Sequence, residues 1–181
     1  MGGGKFERAW AVSDAVLRAR DPAGRDDPAL PYHRRWLWDG RDWRGRPLLV
    51  RCYHGLGDAL MAARFLPRLR RQAGRLILET PPALLPLLGA LADRAHGFDP
   101  AHPLPPMAVE MESLEIPHAL RVTPAAAAAA VPFLAVPPAA CGPGRHLGLC
   151  ATTGGWDPAR DLPPAALVAA CAGPGRVLHW L

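Results

Sequence analysis

Apolar runs and helix-spaced apolar positions alternate along this chain. Residues 5 to 20 (KFERAWAVSDAVLRAR) carry Phe6, Trp10, Val12, Val16 and Leu17, roughly a helical spacing. The segment DPAGRDDPALP then stops the helix with prolines and turn formers. Residues 32 to 46 place Trp36, Trp38 and Trp43 among Arg and Asp, which predicts an aromatic-rich loop pinned to the core by its tryptophans. A strand is predicted at 47–52, followed by a glycine loop and a helix over 57–72. In that helix Ala62, Phe65, Leu66 and Leu69 share one face, and Pro67 is expected to kink or shorten it.

The pattern continues with a strand at 75–79 and a helix at 81–94 whose prolines open it. HGFDP (96–100) predicts a short third strand, MAVEM (107–111) a fourth, and SLEIPHAL (113–120) a helical turn. Residues 124–140 are Ala/Pro-rich and read as a short helix followed by a linker. The alternation then restarts, with a strand at 146–151, a second glycine loop, a helix at 163–172 and a strand at 176–181. Strands that are continuously apolar, alternating with helices, predict an α/β fold with a parallel sheet covered on both faces.

Composition changes this picture little. Half of the 181 residues are hydrophobic, enough for a real core, and 20% are charged. The net charge is +5, and Lys5 is the only lysine. The arginines are scattered; the densest group (Arg68, Arg70, Arg71) closes a predicted helix, where cations offset the macrodipole. Nucleic-acid binding, which calls for a clustered basic patch with interleaved aromatics, is not expected. The four cysteines (52, 141, 150, 171) form no CxxC pair and are expected to be small buried hydrophobes in a reducing compartment. The charged N-terminus is unlike a signal peptide, and the most apolar uncharged stretch, 122–141, is broken by four prolines. A cytosolic protein without a membrane span is expected.

The candidate chemistry lies in two glycine loops, each between a strand and a helix. That is the crevice position at which open α/β sheets bind ligands. The first is Gly55-Leu56-Gly57-Asp58, preceded by His54. It is neither G-x-G-x-x-G nor a Walker loop. Three readings of Asp58 stand open: a carboxylate stabilising the helix start, a neighbour of a bound phosphate, and a general base. His54 is a second candidate base. The other histidines (33, 96, 102, 118, 146, 179) show no metal-ligand spacing, and with only Ser13 and Ser113 as serines a serine hydrolase is not expected.

In order along the chain stand Trp38-Asp39-Gly40, Arg44-Gly45-Arg46, an apolar strand, Gly55-Leu56-Gly57-Asp58 and Arg64-Phe65-Leu66-Pro67. VEMESLEIPHAL (109–120), VPFLAV (131–136) and HLGLCATTGGWDPARDLPPAAL (146–167) follow. This series resembles the glycosyltransferase-like domain at the C-terminus of bacterial tetratricopeptide-repeat proteins, which is similar to the heptosyltransferases. The resemblance implies the GT-B architecture, with two Rossmann-like halves. Residues 31–136 would form the acceptor half, 137–145 a linker, and 146–181 the β-α-β start of the donor half. Residues 1–22 resemble the end of a tetratricopeptide array.

The implied activity is sugar transfer from a nucleotide-sugar donor to a hydroxyl acceptor, with no other cofactor and no metal. Asp58 matches the family's proposed base. Gly55, Gly57, Thr152, Thr153, Gly154, Gly155 and Arg160 match its ligand-binding loops. Two departures stand out: Asp161 where the family has serine, and Cys150 where it has tryptophan. With one β-α-β unit after the linker, the donor half is expected to be truncated and transfer impaired or absent. The alternatives are a non-catalytic interaction module needing a protein partner, and a plain Rossmann-type phosphate or nucleotide binder. An apolar edge at 176–181 would favour association.

Overall fold

The computed structural model describes residues 6–131, 133–137, 140–152 and 157–180. The chain divides into two compact units, Met1–Val136 and Pro137–Leu181.

The first unit opens with helix α1 (Phe6–Ala19). A four-stranded sheet follows, built from β1 (Pro47–Arg51), β2 (Arg75–Thr80), β3 (Arg94–Gly97) and β4 (Glu110–Glu112). The strand order is β3-β2-β1-β4 and every pairing is parallel. This is a Rossmann-like α/β sheet. Leu48, Leu49 and Val50 of β1 are all fully buried. Successive residues of a strand point to opposite faces, so both faces of the sheet are covered, as the continuous apolar run requires.

The two faces are covered differently. Register places Leu48 beside Leu76 and Val50 beside Leu78 on one face. These four join one core cluster with Ala59, Ala62, Leu66, Leu69, Met111 and Ile116. Helices α2 (Leu56–Ala63) and α3 (Leu66–Gln72) supply four of those residues. The opposite face holds Leu49 and, toward the strand ends, Arg51 beside both Glu79 and Glu112. Loops lie over it: Arg25 reaches Glu110, and Leu104 bonds Arg51 and Glu79 through its backbone. The expectation of purely apolar strands therefore fails at Arg51, Glu79, Glu110 and Glu112, all buried.

Pro67 divides the expected 57–72 helix. The chain keeps right-handed helical angles through Arg64 and Phe65 and restarts as α3 with Pro67 near its N-terminus, where proline loses no hydrogen bond. The expected helix over 81–94 is only a 3₁₀ turn, α4 (Leu85–Leu88) and another 3₁₀ turn. Proline at 82 and 86 and glycine at 89 break it up. The third strand lies earlier than HGFDP, and the fourth lies later than MAVEM. Short helices α5 (Ile116–Ala119) and α6 (Pro124–Ala129) complete the unit. The Thr123 side chain caps α6 by accepting from the Ala126 amide. Trp38 and Trp43 are buried, pinning the aromatic loop as expected.

Arg44-Gly45-Arg46 forms the turn into β1. Gly45 has φ +69°, which favours glycine. Its amide donates to the Gln72 carbonyl, and the Gly74 amide donates to the Arg46 carbonyl. A Cβ on Gly74 would lie 2.5 Å from the Gly45 carbonyl oxygen, so the backbone would have to move. Gly74→Ala is expected to cost about 1–3 kcal/mol, the range for overpacking. Urea unfolding measures it; an unchanged midpoint would mean that the turn can open freely.

In the second unit, β5 (Arg145–Leu149) and β6 (Arg176–Trp180) pair in parallel around helix α7 (Pro164–Cys171). Leu149 is the one hydrophobic side chain buried among this unit's described residues, and Trp180 is 55% exposed. Cysteine burial holds for Cys52 alone; Cys141 and Cys150 are exposed and Cys171 is half-buried. Cys141 precedes β5, Cys150 follows it and Cys171 ends α7, in a unit that buries little among its described residues. No helix among the described residues is long and apolar enough to cross a membrane.

Candidate functional site

The sheet order sets the position of the site. From β1 the chain moves outward to β2 and β3, then returns to the other side of β1 to form β4. The C-terminal ends of β1 and β4 therefore flank the point where the direction reverses, the usual ligand crevice of an open α/β sheet. The loop leaving β1 carries Cys52, Tyr53, His54 and Gly55. β4 ends on Glu112, and Ser113 opens the turn that leaves it.

His54 and Glu112 meet there. His54 Nδ1 lies 3.1 Å from Glu112 Oε1. Glu112 is 2% exposed and also accepts from the Ser113 hydroxyl at 2.7 Å, the Leu114 amide at 2.7 Å and the Tyr53 amide at 3.3 Å. A carboxylate can only accept, so Nδ1 carries a proton, and in the neutral ring the lone pair stands on Nε2. No hydrogen bond engages Nε2 among the described residues, and the ring is 22% exposed. The pair is thus a fixed imidazole with one basic nitrogen open to the crevice.

Asp58 is the third residue of α2, in its first turn. The cap position belongs to Gly55, and no side chain caps this helix. Asp58 makes no hydrogen bond among the described residues. A Cβ on Gly55 would come within 3.5 Å of Asp58 Oδ2, so the carboxylate leans back over the loop. The cap reading in its strict sense, an oxygen accepting a free helix N–H, is therefore not realised. What remains of it is the favourable field of the helix N-terminus. Neither Gly55 nor Gly57 has a positive φ. Gly57 has open space where a Cβ would lie. Their value to a site is an uncovered backbone, not a special conformation.

A second carboxylate, Glu115, ties this region together. Its Oε2 accepts from the Trp38 amide at 2.8 Å, the Leu37 amide at 3.2 Å and the Glu112 amide at 2.9 Å, while Oε1 pairs with Arg20 at 2.7 Å. The Trp38-Asp39-Gly40 segment is thereby locked to the turn after β4. Burial pushes the Glu115 carboxyl above its ordinary value, against these hydrogen bonds, which pull it down. A carboxyl raised on folding binds its proton more tightly when folded. Its contribution to stability is complete below the unfolded value, near 4.5, and is lost as pH rises through the folded value. Urea unfolding at several pH values above 4.5 should accordingly show a shallower fall in stability for Glu115→Gln than for the parent chain. An equal or steeper fall would contradict this.

Burial also holds the Cys52 thiol up at about 12, which makes it a poor nucleophile. Tyr53 donates to Asp26 and packs against Tyr32 and Phe98.

His54, Gly55, Gly57 and Asp58 thus share one loop-helix junction at the reversal point. Of the second glycine loop, Thr152 is exposed in the other unit, and Arg160 is exposed at the end of a 3₁₀ turn, Pro158–Arg160. Thr153, Gly154 and Gly155 lie outside the described residues. No cluster of metal-ligating side chains occurs among the described residues. Glu112 lies in the VEMESLEIPHAL segment, but the sequence assigns it no site role; its further signal is a pair of acids, Glu110 and Glu112, inside an otherwise apolar strand.

Fold and crevice define a Rossmann-like α/β unit with an uncovered glycine loop, an unpaired carboxylate and an oriented histidine. Comparison with protein-family models, curated proteins and solved structures gave no match.

Proposed function

We propose that the chain is glycosyltransferase-like and transfers a sugar from a nucleotide-sugar donor to a hydroxyl acceptor at the crevice between β1 and β4. The observation that carries the reading is the unpaired Asp58 carboxylate above an open glycine loop, at the C-terminal edge of a parallel sheet. A base in that position can take the proton of an acceptor hydroxyl as the bond to the sugar forms. His54, oriented by Glu112, offers a second basic atom on the same loop. The ordered motifs from Trp38 to Arg160 support the GT-B reading, with Thr152, Thr153, Gly154, Gly155 and Arg160 on the donor side.

The second reading, a non-catalytic interaction module, is favoured by one observation. The second unit leaves Trp180, Leu162 and Val177 exposed while burying little. Incubation of the purified chain with a panel of nucleotide-sugars and mixed saccharide acceptors separates the two. Released nucleoside diphosphate and labelled product are the readouts. Transfer that disappears in Asp58→Asn supports the enzyme. Absence of transfer from every donor would leave the interaction module as the better reading.

A further inference from the structure

A second cavity in the first unit lies away from the crevice. It has a volume of about 440 Å³ and runs between α3 and α6. That size suits a small-molecule ligand. Helix α2 begins at the C-terminal edge of the sheet, the helical path continues into α3, and α3 ends where Gln72 accepts from Gly45, next to the start of β1. The cavity is therefore displaced toward the opposite edge from Asp58.

Its lining has two parts. Phe65, Phe133 and Ala129 contribute to an apolar wall, and Arg64, Arg68 and Arg71 supply three cations with no carboxylate among them. The helical path through Arg64 and Phe65 places the three arginines at i, i+4 and i+7, on one face. Arg70, between them, points elsewhere and pairs with Asp93. Arg20, Arg25, Arg35, Arg41, Arg44, Arg51 and Arg121 each pair with an acid. Arg8, Arg18, Arg34, Arg46, Arg75 and Arg94 have no ion pair among the described residues, so what sets Arg64, Arg68 and Arg71 apart is that all three line one cavity. The Arg64 side chain bonds only the Met61 carbonyl, through Nε, and the guanidinium groups of Arg68 and Arg71 have no hydrogen-bond partner among the described residues. Three guanidinium groups converging on one cavity without a counter-charge repel one another. An anion relieves that repulsion, and phosphate oxygens match the guanidinium fork.

From this cavity we infer a binding site for a small phosphorylated molecule bearing an aromatic or aliphatic body, distinct from the crevice at Asp58. The phosphates meet Arg64, Arg68 and Arg71, and the body lies against Phe65, Phe133 and the alanines of α6. The same phosphate chemistry occurs on lipid headgroups, so the test includes a membrane arm.

Calorimetry with adenosine diphosphate, inorganic pyrophosphate and adenosine provides the test. Adenosine diphosphate is expected to bind more tightly than pyrophosphate, with adenosine undetectable, and affinity is expected to fall as salt rises. Arg68→Ala/Arg71→Ala is expected to weaken binding at least about 10-fold, the scale of lost hydrogen bonds to charged groups. Arg70→Ala should change it less than about twofold, being turned toward Asp93. Nucleotide held by the donor loop of the transferase reading would instead weaken in Arg160→Ala and not in Arg68→Ala/Arg71→Ala, which separates failure here from failure of that reading. If the double variant unfolds, Ala129→Glu tests the same cavity by repulsion from an exposed position. Binding that survives both variants, or adenosine binding as well as its diphosphate, overturns the inference. Capture by phosphatidylglycerol vesicles without binding of the soluble diphosphate overturns the soluble-ligand assignment.

Discussion

Arg51→Met is expected to cost about 3–5 kcal/mol, the range for removing one partner of a buried ion network. Typical domain stabilities are about 5–15 kcal/mol, so this single change would leave the first unit marginal. The reason lies in what the arginine faces. Its side chain is 2% exposed, and its Nη1 donates to Glu79 while Nε and Nη2 bond Glu110 Oε1 at 3.2 and 3.0 Å. Nη2 also donates to the Leu104 carbonyl at 2.8 Å. Burial alone would disfavour the charge. Tyr53 and the two carboxylates outweigh it and hold Arg51 above its ordinary value. Without the guanidinium, Glu79 keeps only the Leu104 amide, while Glu110 keeps Arg25. The loss is then the desolvation of a carboxylate that is 1% exposed.

A second variant tells a network from a simple packing defect. Arg51→Met/Glu79→Leu removes the stranded charge and leaves Glu110 with Arg25. It should recover much of the loss, since a buried ion pair replaced by well-packed apolar groups is often close to neutral. Denaturant unfolding reads both. A single variant costing less than about 1 kcal/mol, the scale of exposed pairs, would mean that water reaches the network.

This polar face marks the limit of what the sequence declares. Continuous apolar runs in β1 and β2 correctly predict parallel pairing, because Leu48, Leu49 and Val50 are covered on both sides. Pro67 correctly breaks its helix. Pattern alone does not tell that the second cover is a set of loops, because the ion network joins residues far apart in sequence. Arg51 meets Glu79 and Glu110 only once β2 and β4 flank β1. The His54–Glu112 pair is hidden for the same reason. Its two halves are 58 positions apart, and each alone reads as an unremarkable polar residue. The crevice could be located in advance because a strand-glycine-helix junction is local. The partners that orient its side chains could not, because they come from the neighbouring strand. Of the second cavity's arginines, Arg68 and Arg71 fall with Arg70 in the densest basic group, which reads from sequence as macrodipole partners, and Arg64 lies outside that group. Only the pairing of Arg70 with Asp93, and the lack of any such acid for Arg68 and Arg71, separates them.

Asp58→Asn is expected to abolish sugar transfer, by about 10²–10⁴-fold if the carboxylate is the general base. Stability should change by no more than about 1 kcal/mol, the scale of a helix-dipole charge. The two effects separate here because Asp58 makes no hydrogen bond among the described residues. Asparagine is nearly isosteric and leaves the loop intact, while its amide cannot accept a proton at neutral pH. If the base were instead His54, the pattern would invert. Asp58→Asn would retain transfer, and Glu112→Gln would lose it, because an amide can present its NH₂ to Nδ1 and turn the basic lone pair away from the crevice. The Glu112 variant carries a structural cost that the Asp58 variant does not, since Glu112 also accepts from Ser113, Leu114 and Tyr53. Transfer rates therefore have to be compared at temperatures where both variants are folded by near-ultraviolet circular dichroism. Loss in Asp58→Asn with retention in His54→Gln assigns the proton to the aspartate. Retention in both variants would leave Asp58 with only its effect on the helix.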